Sequence, residues 1–129
     1  MTPTGLTIAD AARELGLTVD TLRYYEKDRL LLRPVPRVSS GHRRYEEPDL
    51  RWITLVTRLR ATGMPIREIR RYAVLVRAGD GNETDRLELL QAHRQRVLQQ
   101  LAEVTGHLGA IDHKIGIYEE KLRTAALSA

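Results

Sequence analysis

The fold of this chain is decided by residues 7–27, which read TIADAARELGLTVDTLRYYEK. Thr7 is a favourable helix N-cap. The apolar residues after it are spaced as one helix face: Ile8, Ala11, Ala12 and Leu15. Gly16 ends this helix because glycine adopts the left-handed backbone conformation readily, and Thr18 caps a second helix that we predict over residues 19–27. Two short helices joined by a tight glycine turn are typical of a helix-turn-helix.

The second predicted helix presents polar and aromatic groups on its outward face. At roughly 100° per residue, Val19 and Leu22 face inward and Tyr24 points away from them. The other members of this face and of its flanks are Asp20, Thr21, Arg23 and Tyr25. Such groups reach base edges and phosphates in a major groove, so we interpret this helix as a DNA recognition helix. The alternative is that Tyr24 and Tyr25 only cover a small core.

Residues 30–46 are predicted to form a short hairpin, or wing, rather than a helix. Pro34 and Pro36 exclude an ordinary helix interior, and residues 39–41 (SSG) signal a turn. Arginines lie on both arms and just beyond: Arg33, Arg37, Arg43, Arg44 and Arg51. A guanidinium grips phosphate with two hydrogen bonds, so we predict that the wing contacts the DNA backbone. His42, at the tip, is better read as a turn residue or phosphate contact than as a catalytic base.

Two more helices and a linker complete the predicted DNA-binding domain, residues 1–80. Pro48 is placed as the first residue of one helix, which Gly63 ends, and Pro65 starts the next. Residues 79–82 (GDGN) form the linker. Trp52 and Tyr72 are candidates for lining an apolar effector pocket, although packing in the core is the favoured alternative for both.

Residues 83–123 are predicted to be one dimerisation helix, followed by a tail over 124–129. Residues at alternating spacings of three and four form a heptad seam: Leu87, Leu90, Arg94, Val97, Leu101, Val104, Leu108, Ile111, Ile115, Tyr118 and Leu122. A single helix cannot bury such a stripe, and a second copy of the chain is the simplest partner. Gly106, Gly109 and Gly116 fall outside the seam and leave open whether the helix is continuous beyond residue 105.

The composition and charge of the chain exclude several classes of function. The formal net charge is +4, and residues 33–71 hold ten arginines against four acidic residues, which favours a polyanion partner. The chain has no cysteine, so thiol nucleophiles and thiolate metal sites are excluded. It shows no signal peptide or membrane span, so we expect a cytoplasmic protein. It also lacks a glycine-rich phosphate loop, an HExxH motif and metal-ligand spacing of its histidines. We therefore predict neither an enzyme, a cofactor nor a metal site.

Together these motifs resemble the MerR family of bacterial transcription regulators. The resemblance is carried by residues 21–27 (TLRYYEK), 41–45 (GHRRY) and 59–64 (LRATGM), with Leu30-Leu31, Ile66 and Glu68-Ile69 at matching positions. It extends over essentially the whole chain. The joint presence of the Arg-Tyr-Tyr-Glu run and the wing motif makes it specific, whereas either alone is a weak signal.

The resemblance implies a mainly α fold: a homodimer of winged helix-turn-helix domains joined by an antiparallel coiled coil. By position it assigns Thr18, Thr21, Arg23, Tyr24 and Tyr25 to the recognition helix, Arg43, Arg44 and Tyr45 to the wing, and Arg60 and Arg67 to the helix pair that approaches the backbone. It implies a nucleoid-associated regulator on double-stranded promoter DNA, with RNA polymerase as a candidate partner. Family members commonly kink and untwist an over-long promoter spacer when an effector binds.

This chain departs from the family in its means of sensing. Metal, redox and aldehyde sensors of the family use cysteines, which are absent here, and the chain stops without the drug-binding domain of the multidrug sensors. Any effector is therefore expected between the coiled coil and the winged domain. Three alternatives stay open: an architectural protein that bends DNA, a steric repressor without a ligand, and a coiled-coil adaptor that binds protein. The arginines of the wing and Tyr24 favour DNA over the adaptor.

Overall fold

The structure is a computed structural model that describes residues 5–33 and 44–128, and five helices lie in these ranges. The helices are α1 (Ile8–Leu15), α2 (Val19–Lys27), α3 (Glu47–Ala61), α4 (Ile66–Arg77) and α5 (Glu83–Ser128). The chain divides into two units, Met1–Gln91 and Ala92–Ala129. The predicted mainly α fold with a long final helix is confirmed. The turn and most of both arms of the predicted wing, residues 34–43, lie outside the described residues.

Hydrogen bonds to threonine side chains fix the starts of α1 and α2. The Thr7 hydroxyl accepts a hydrogen bond from the backbone N–H of Asp10 at 3.1 Å, and the Thr18 hydroxyl accepts one from Thr21 at the same distance. These bonds satisfy N–H groups that the first turn of a helix leaves unpaired. Between the helices, Gly16 has φ +69°, in the left-handed region. The bounds predicted for the helix-turn-helix are therefore confirmed.

A reciprocal cap starts α3 one residue before the predicted position. Glu46 and Asp49 form a capping box, in which the Asp49 carboxylate accepts a hydrogen bond from the Glu46 N–H at 2.9 Å. The same Asp49 oxygen accepts a hydrogen bond from Arg33 Nη2 at 2.7 Å. Pro48 thus occupies the second helical position rather than the first, because this local network begins the helix at Glu47.

The core of the first unit is built from α1 to α4 and the segments between them, with Leu89 of α5. Its largest fully buried side chains are Tyr25, Tyr45, Leu22, Leu30, Ile53, Ile69 and Val56. Trp52 donates its indole N–H to the carbonyl of Leu30 at 2.7 Å, and its ring stacks on Tyr72 with centroids 5.5 Å apart. An isolated antiparallel bridge between Leu6 and Tyr45, with two backbone bonds of 2.8 Å, adds the only sheet-like pairing of the described residues.

Helix α5 starts at the predicted residue, Glu83, but is longer than predicted, and its first nine residues belong to the first unit. It continues through the glycines at 106, 109 and 116 and ends at Ser128, so residues 124–128 are helical rather than a tail. Leu89 is buried in the core of the first unit and Leu90 packs against it, which carries that unit to Gln91, beyond the predicted boundary at residue 80. No helix in residues 5–33 and 44–128 has the length and apolar character of a membrane span.

Substitutions at two glycines show how backbone conformation alone changes the folding stability, because both positions have room for a side chain. A Cβ at either Gly106 or Gly16 meets no atom within 4 Å, but only Gly16 has a positive φ. We expect Gly106→Ala to raise the free energy of unfolding by about 1 kcal/mol, since alanine is the better helix former. Gly16→Ala should lower it by about 1 kcal/mol, because a Cβ strains the left-handed conformation. Urea denaturation followed by circular dichroism measures both; changes of the same sign would contradict this account.

Candidate nucleic-acid interface

The exposed face of α2 carries a small polar network. The Asp20 side chain is 94% exposed and lies 3.6 Å from a guanidinium nitrogen of Arg23, whose side chain is 58% exposed. The hydroxyls of Thr18 and Thr21 lie 2.8 Å apart. Ion pairs this exposed contribute little to folding, so their groups exchange partners at small cost. The face predicted for DNA recognition therefore offers carboxylate, hydroxyl and guanidinium groups to a ligand.

The structure corrects the prediction that Tyr25 belongs to the DNA-contacting face of α2. Its side chain is 2% exposed, and its hydroxyl lies 3.2 Å from the Thr57 hydroxyl on α3. The helical wheel placed Tyr25 on a flank of α2, but α3 packs against that flank and covers it. Tyr45 is likewise fully buried at the end of the predicted wing. Neither side chain reaches a DNA groove from these positions, so both are core residues rather than DNA contacts.

Tyr24 lies between groups of both charges. The residue is 38% exposed, and the guanidinium carbon of Arg60, on α3, stands 5.3 Å from the ring centroid. This distance is typical of a cation–π contact. Hydrogen bonding to the Asp28 carboxylate raises the pKa of Tyr24 above its ordinary value, against the opposing charges of Arg60 and Arg70. The phenol is protonated at neutral pH, as an unperturbed tyrosine is, and in the free protein its hydroxyl is directed at Asp28.

The loop after α2 is tied to α4 by two arginines that sequence reasoning missed. Arg70 donates to the Asp28 carbonyl at 2.9 Å and lies 3.4 Å from its carboxylate. Arg77 Nη2 donates to the carbonyls of Arg29 and Leu31 at 3.0 and 3.2 Å. The seven-residue spacing of Arg70 and Arg77 places both on one side of α4, and this spacing can be recognised in the sequence. Their targets are backbone carbonyls, which no sequence pattern marks.

The remaining predicted DNA contacts fall into three groups. Arg60 and Arg67 are exposed, on α3 and in the first turn of α4. Arg44 is half-buried and its Nη1 lies 3.5 Å from the Gly5 carbonyl, so its guanidinium also faces the N-terminal segment. Arg37, His42 and Arg43 lie outside the described residues. The structure thus brings Tyr24 and Arg60 together, while the interface predicted for residues 34–43 stays a prediction.

In the second unit, α5 exposes a row of large apolar side chains. Seven seam residues have half or more of their surface exposed: Leu101, Val104, Leu108, Ile111, Ile115, Tyr118 and Leu122. Val97 is half-buried and Arg94 exposed. In the first unit Leu87 is exposed, whereas Leu90 packs against that unit's core as well as lying on the seam. An apolar row of this length on one helix is an unsatisfied packing surface.

The two residues considered for an effector pocket are packed against each other. Trp52 is buried, its N–H is bonded to the Leu30 carbonyl, and Tyr72 covers its ring. This is the core packing that the sequence favoured, and their role toward an effector stays a prediction. Within the described part of the chain, no group of three or more His, Cys, Asp or Glu side chains is placed to hold a metal ion.

A helix-turn-helix with an exposed polar recognition face and arginines on the adjoining helices defines a DNA-binding protein. The model of the MerR HTH family regulatory proteins matches residues 6–74, and the MerR DNA-binding model matches residues 50–114. The chain belongs to the MerR family of transcriptional regulators. The prediction that it is not an enzyme is confirmed by this membership, since the family and its relatives are regulators.

Relatives and solved structures match most of the chain. A transcriptional regulator of Haemophilus influenzae is 33% identical over 95% of this chain and 90% of its own length. The regulator AdhR of Bacillus subtilis is 38% identical over 73% of this chain and 66% of its own length. A MerR-family crystal structure from Listeria monocytogenes superposes with a TM-score of 0.87, at 33% identity, covering 94% and 91% of the two chains.

One solved structure includes DNA. It is HiNmlR, described as a MerR family regulator lacking the sensor domain and bound to promoter DNA. Its identity to this chain is 34%, the TM-score is 0.81, and the match covers 91% of this chain and 92% of HiNmlR. The chain is accordingly a DNA-binding transcriptional regulator.

Adjacent tyrosines on α2 give a matched test of the interface. We expect Tyr24→Phe to weaken binding about three- to tenfold, because the hydroxyl can no longer donate to a DNA phosphate. The free energy of unfolding should change by less than about 0.5 kcal/mol, because the bond to Asp28 that is also lost lies at an exposed position. Tyr25→Phe should instead lower the free energy of unfolding by about 0.5–1.5 kcal/mol through loss of its bond to Thr57 and leave binding unchanged. Fluorescence anisotropy with genomic fragments that the purified protein retains, and urea denaturation, measure the two effects. The reverse pattern would reject the assignment.

Proposed function

We propose that this protein acts as a homodimer that binds an over-long promoter spacer and distorts its centre in response to an effector. The observation that carries the proposal is the exposed apolar row on α5, in a chain whose α2 displays a DNA recognition face. An antiparallel coiled coil of two α5 helices buries that row and gives the dimer two recognition helices. The dimer acts with RNA polymerase at promoters, in the bacterial cytoplasm and on the nucleoid.

The distortion is driven by contacts on both half-sites. Arg60 and Arg67 on each protomer, with Arg43 and Arg44 of the wing, supply guanidinium groups to the phosphates on both sides of a half-site. Bending a site of 20–30 base pairs costs ~1–6 kcal/mol. Several charge-assisted contacts at ~1.5–3 kcal/mol each offset that cost. The centre of the operator is then selected for its deformability without being touched.

A steric repressor or an architectural protein without a ligand is the second candidate function. HiNmlR, which matches 91% of this chain, is described as lacking the sensor domain. That description favours regulation without a separate ligand-binding domain. Both candidates require DNA binding and a dimer, and they differ in whether the bound DNA is bent and whether a small molecule changes that state.

The dimer is tested by a charge placed on the seam. Leu101→Asp puts a carboxylate where the coiled coil excludes water, so we expect this variant to be monomeric or unfolded. Gln99→Asp adds the same charge on the opposite side of α5, at an exposed position, and should stay dimeric. Sedimentation at micromolar concentration should give about twice 14.7 kDa for the unmodified chain and for Gln99→Asp. A monomeric unmodified chain would refute the homodimer.

The distortion is tested on the DNA itself. In a circular-permutation gel, complexes with operator DNA should migrate according to the position of the site, because a bend near the middle retards them most. A pyrimidine–purine step at the operator centre should bind more tightly than a stiff A-tract there. Straight DNA in the complex, with and without cell extract as a source of effector, would favour the steric repressor instead.

A further inference from the structure

A groove of about 500 Å³ opens in the first unit between the loop after α2 and the end of α4. Among the described residues, its lining consists of Glu26, Arg29, Leu31, Leu32, Arg33 and Arg77. Its volume lies in the range of ordinary small-molecule sites. Of the described lining residues, Arg33 is among the arginines predicted to contact the DNA backbone, but its guanidinium is paired with Asp49.

The charge of the groove is positive, and its guanidinium groups are held in place. Arg77 is fixed by the two backbone carbonyls that its Nη2 contacts, and Arg33 is fixed by Asp49 at 2.7 Å. Arg29 is exposed, and the structure gives its guanidinium no ion pair within residues 5–33 and 44–128. Apart from the Arg33–Asp49 pair, two guanidinium groups, those of Arg29 and Arg77, give the described lining its positive charge.

Arg29 also occupies a backbone conformation that an arginine adopts only at a cost. Its φ is +60°, and it is the only non-glycine residue of the described chain in the left-handed region. Glycine satisfies such a position without strain. Backbone strain that persists at one residue often marks a function of its side chain. Within residues 5–33 and 44–128, this strained residue carries the guanidinium of the groove that has no fixed partner.

We propose that this groove binds a small organic monoanion with an apolar body, such as an aromatic carboxylate. The carboxylate binds Arg29 and Arg77, and the apolar body packs on Leu31 and Leu32. A single carboxylate is sufficient to engage both guanidinium groups through charge-assisted hydrogen bonds. The two leucines favour an organic anion over a hydrated inorganic one. An apolar body gains free energy when its surface is removed from water against them, whereas phosphate has no apolar surface to bury.

The groove adjoins the loop after α2, which Arg77 joins to α4. Arg77 already joins the end of α4 to the carbonyls of Arg29 and Leu31, so an anion bound to the same guanidinium changes the contacts of that loop. Ligand and DNA affinities are then coupled, and by linkage each changes the other by the same factor. This second step, in which the anion is the effector, rests on the proposed function, whereas the binding site does not.

The binding test uses 2-naphthoate as the probe, with 2-naphthamide and inorganic phosphate as comparisons. Calorimetry should show 2-naphthoate binding the unmodified chain at least tenfold more tightly than either comparison. Arg29→Gly should weaken 2-naphthoate binding at least tenfold. The same variant should melt at a higher temperature without ligand, because glycine relieves the strain at φ +60°; misfolding then cannot explain the loss. Arg71→Ala removes an equal charge from an exposed position outside the groove and should bind 2-naphthoate normally.

Several results would overturn the site. These are no 2-naphthoate binding at millimolar concentration, equal binding of phosphate or of the uncharged amide, and equal binding by Arg29→Gly. If Arg29→Gly instead weakened binding to random duplex DNA and lowered its salt slope by about one ion, Arg29 would be a phosphate contact and not a ligand residue.

The effector step has its own readout. Saturating 2-naphthoate should change operator affinity of the unmodified chain at least threefold and leave that of Arg29→Gly unchanged. Ligand binding without this change would reject the effector role while the site stands. Failure of the unmodified chain to bind any DNA would refute the proposed function and leave the calorimetric result unaffected.

Discussion

The presentation of α2, the proposed recognition helix, depends on how the loop after it is anchored. Trp52 of α3 donates a hydrogen bond to the Leu30 carbonyl, and Arg70 and Arg77 of α4 donate to the carbonyls of Asp28, Arg29 and Leu31. A loop with unpaired buried carbonyls is costly, so side chains from two helices take the role that a sheet would otherwise have. The orientation of α2 is thereby fixed from its C-terminal end by residues distant in sequence.

Local signals in the sequence were sufficient for α1 and α2, and insufficient for the site. Threonine caps and Gly16 act within four residues of their targets, so the bounds of both helices were predictable. The side chain of Tyr25 was misplaced because a helical wheel shows the directions of one helix and not which neighbour covers them. Trp52, which stacks on Tyr72, shows a related limit. The helical spacing of apolar residues in α3 predicted that Trp52 is buried, but not that its indole N–H donates to the Leu30 carbonyl.

The seam of α5 was readable because a heptad repeat is a property of one helix. Its glycines raised the question of a break, since each lowers helix propensity, and the helix nevertheless runs unbroken to Ser128. The seam position Leu90 carries a second role that periodicity does not distinguish, because it also packs against the core of the first unit. An apolar repeat therefore predicts that a residue is covered, while the identity of the covering surface comes from tertiary structure.

In the effector role proposed for the groove, charge and shape take the part that thiol chemistry would take in a protein with cysteine, which this chain lacks. Redox and thiolate chemistry need a sulfur nucleophile or ligand, whereas an arginine binds anions at any physiological pH because it stays protonated. Arg29 combines that constant charge with a strained backbone at the end of the recognition helix. A glycine there would stabilise the fold, so the arginine is best understood through what its side chain binds rather than through what its backbone requires.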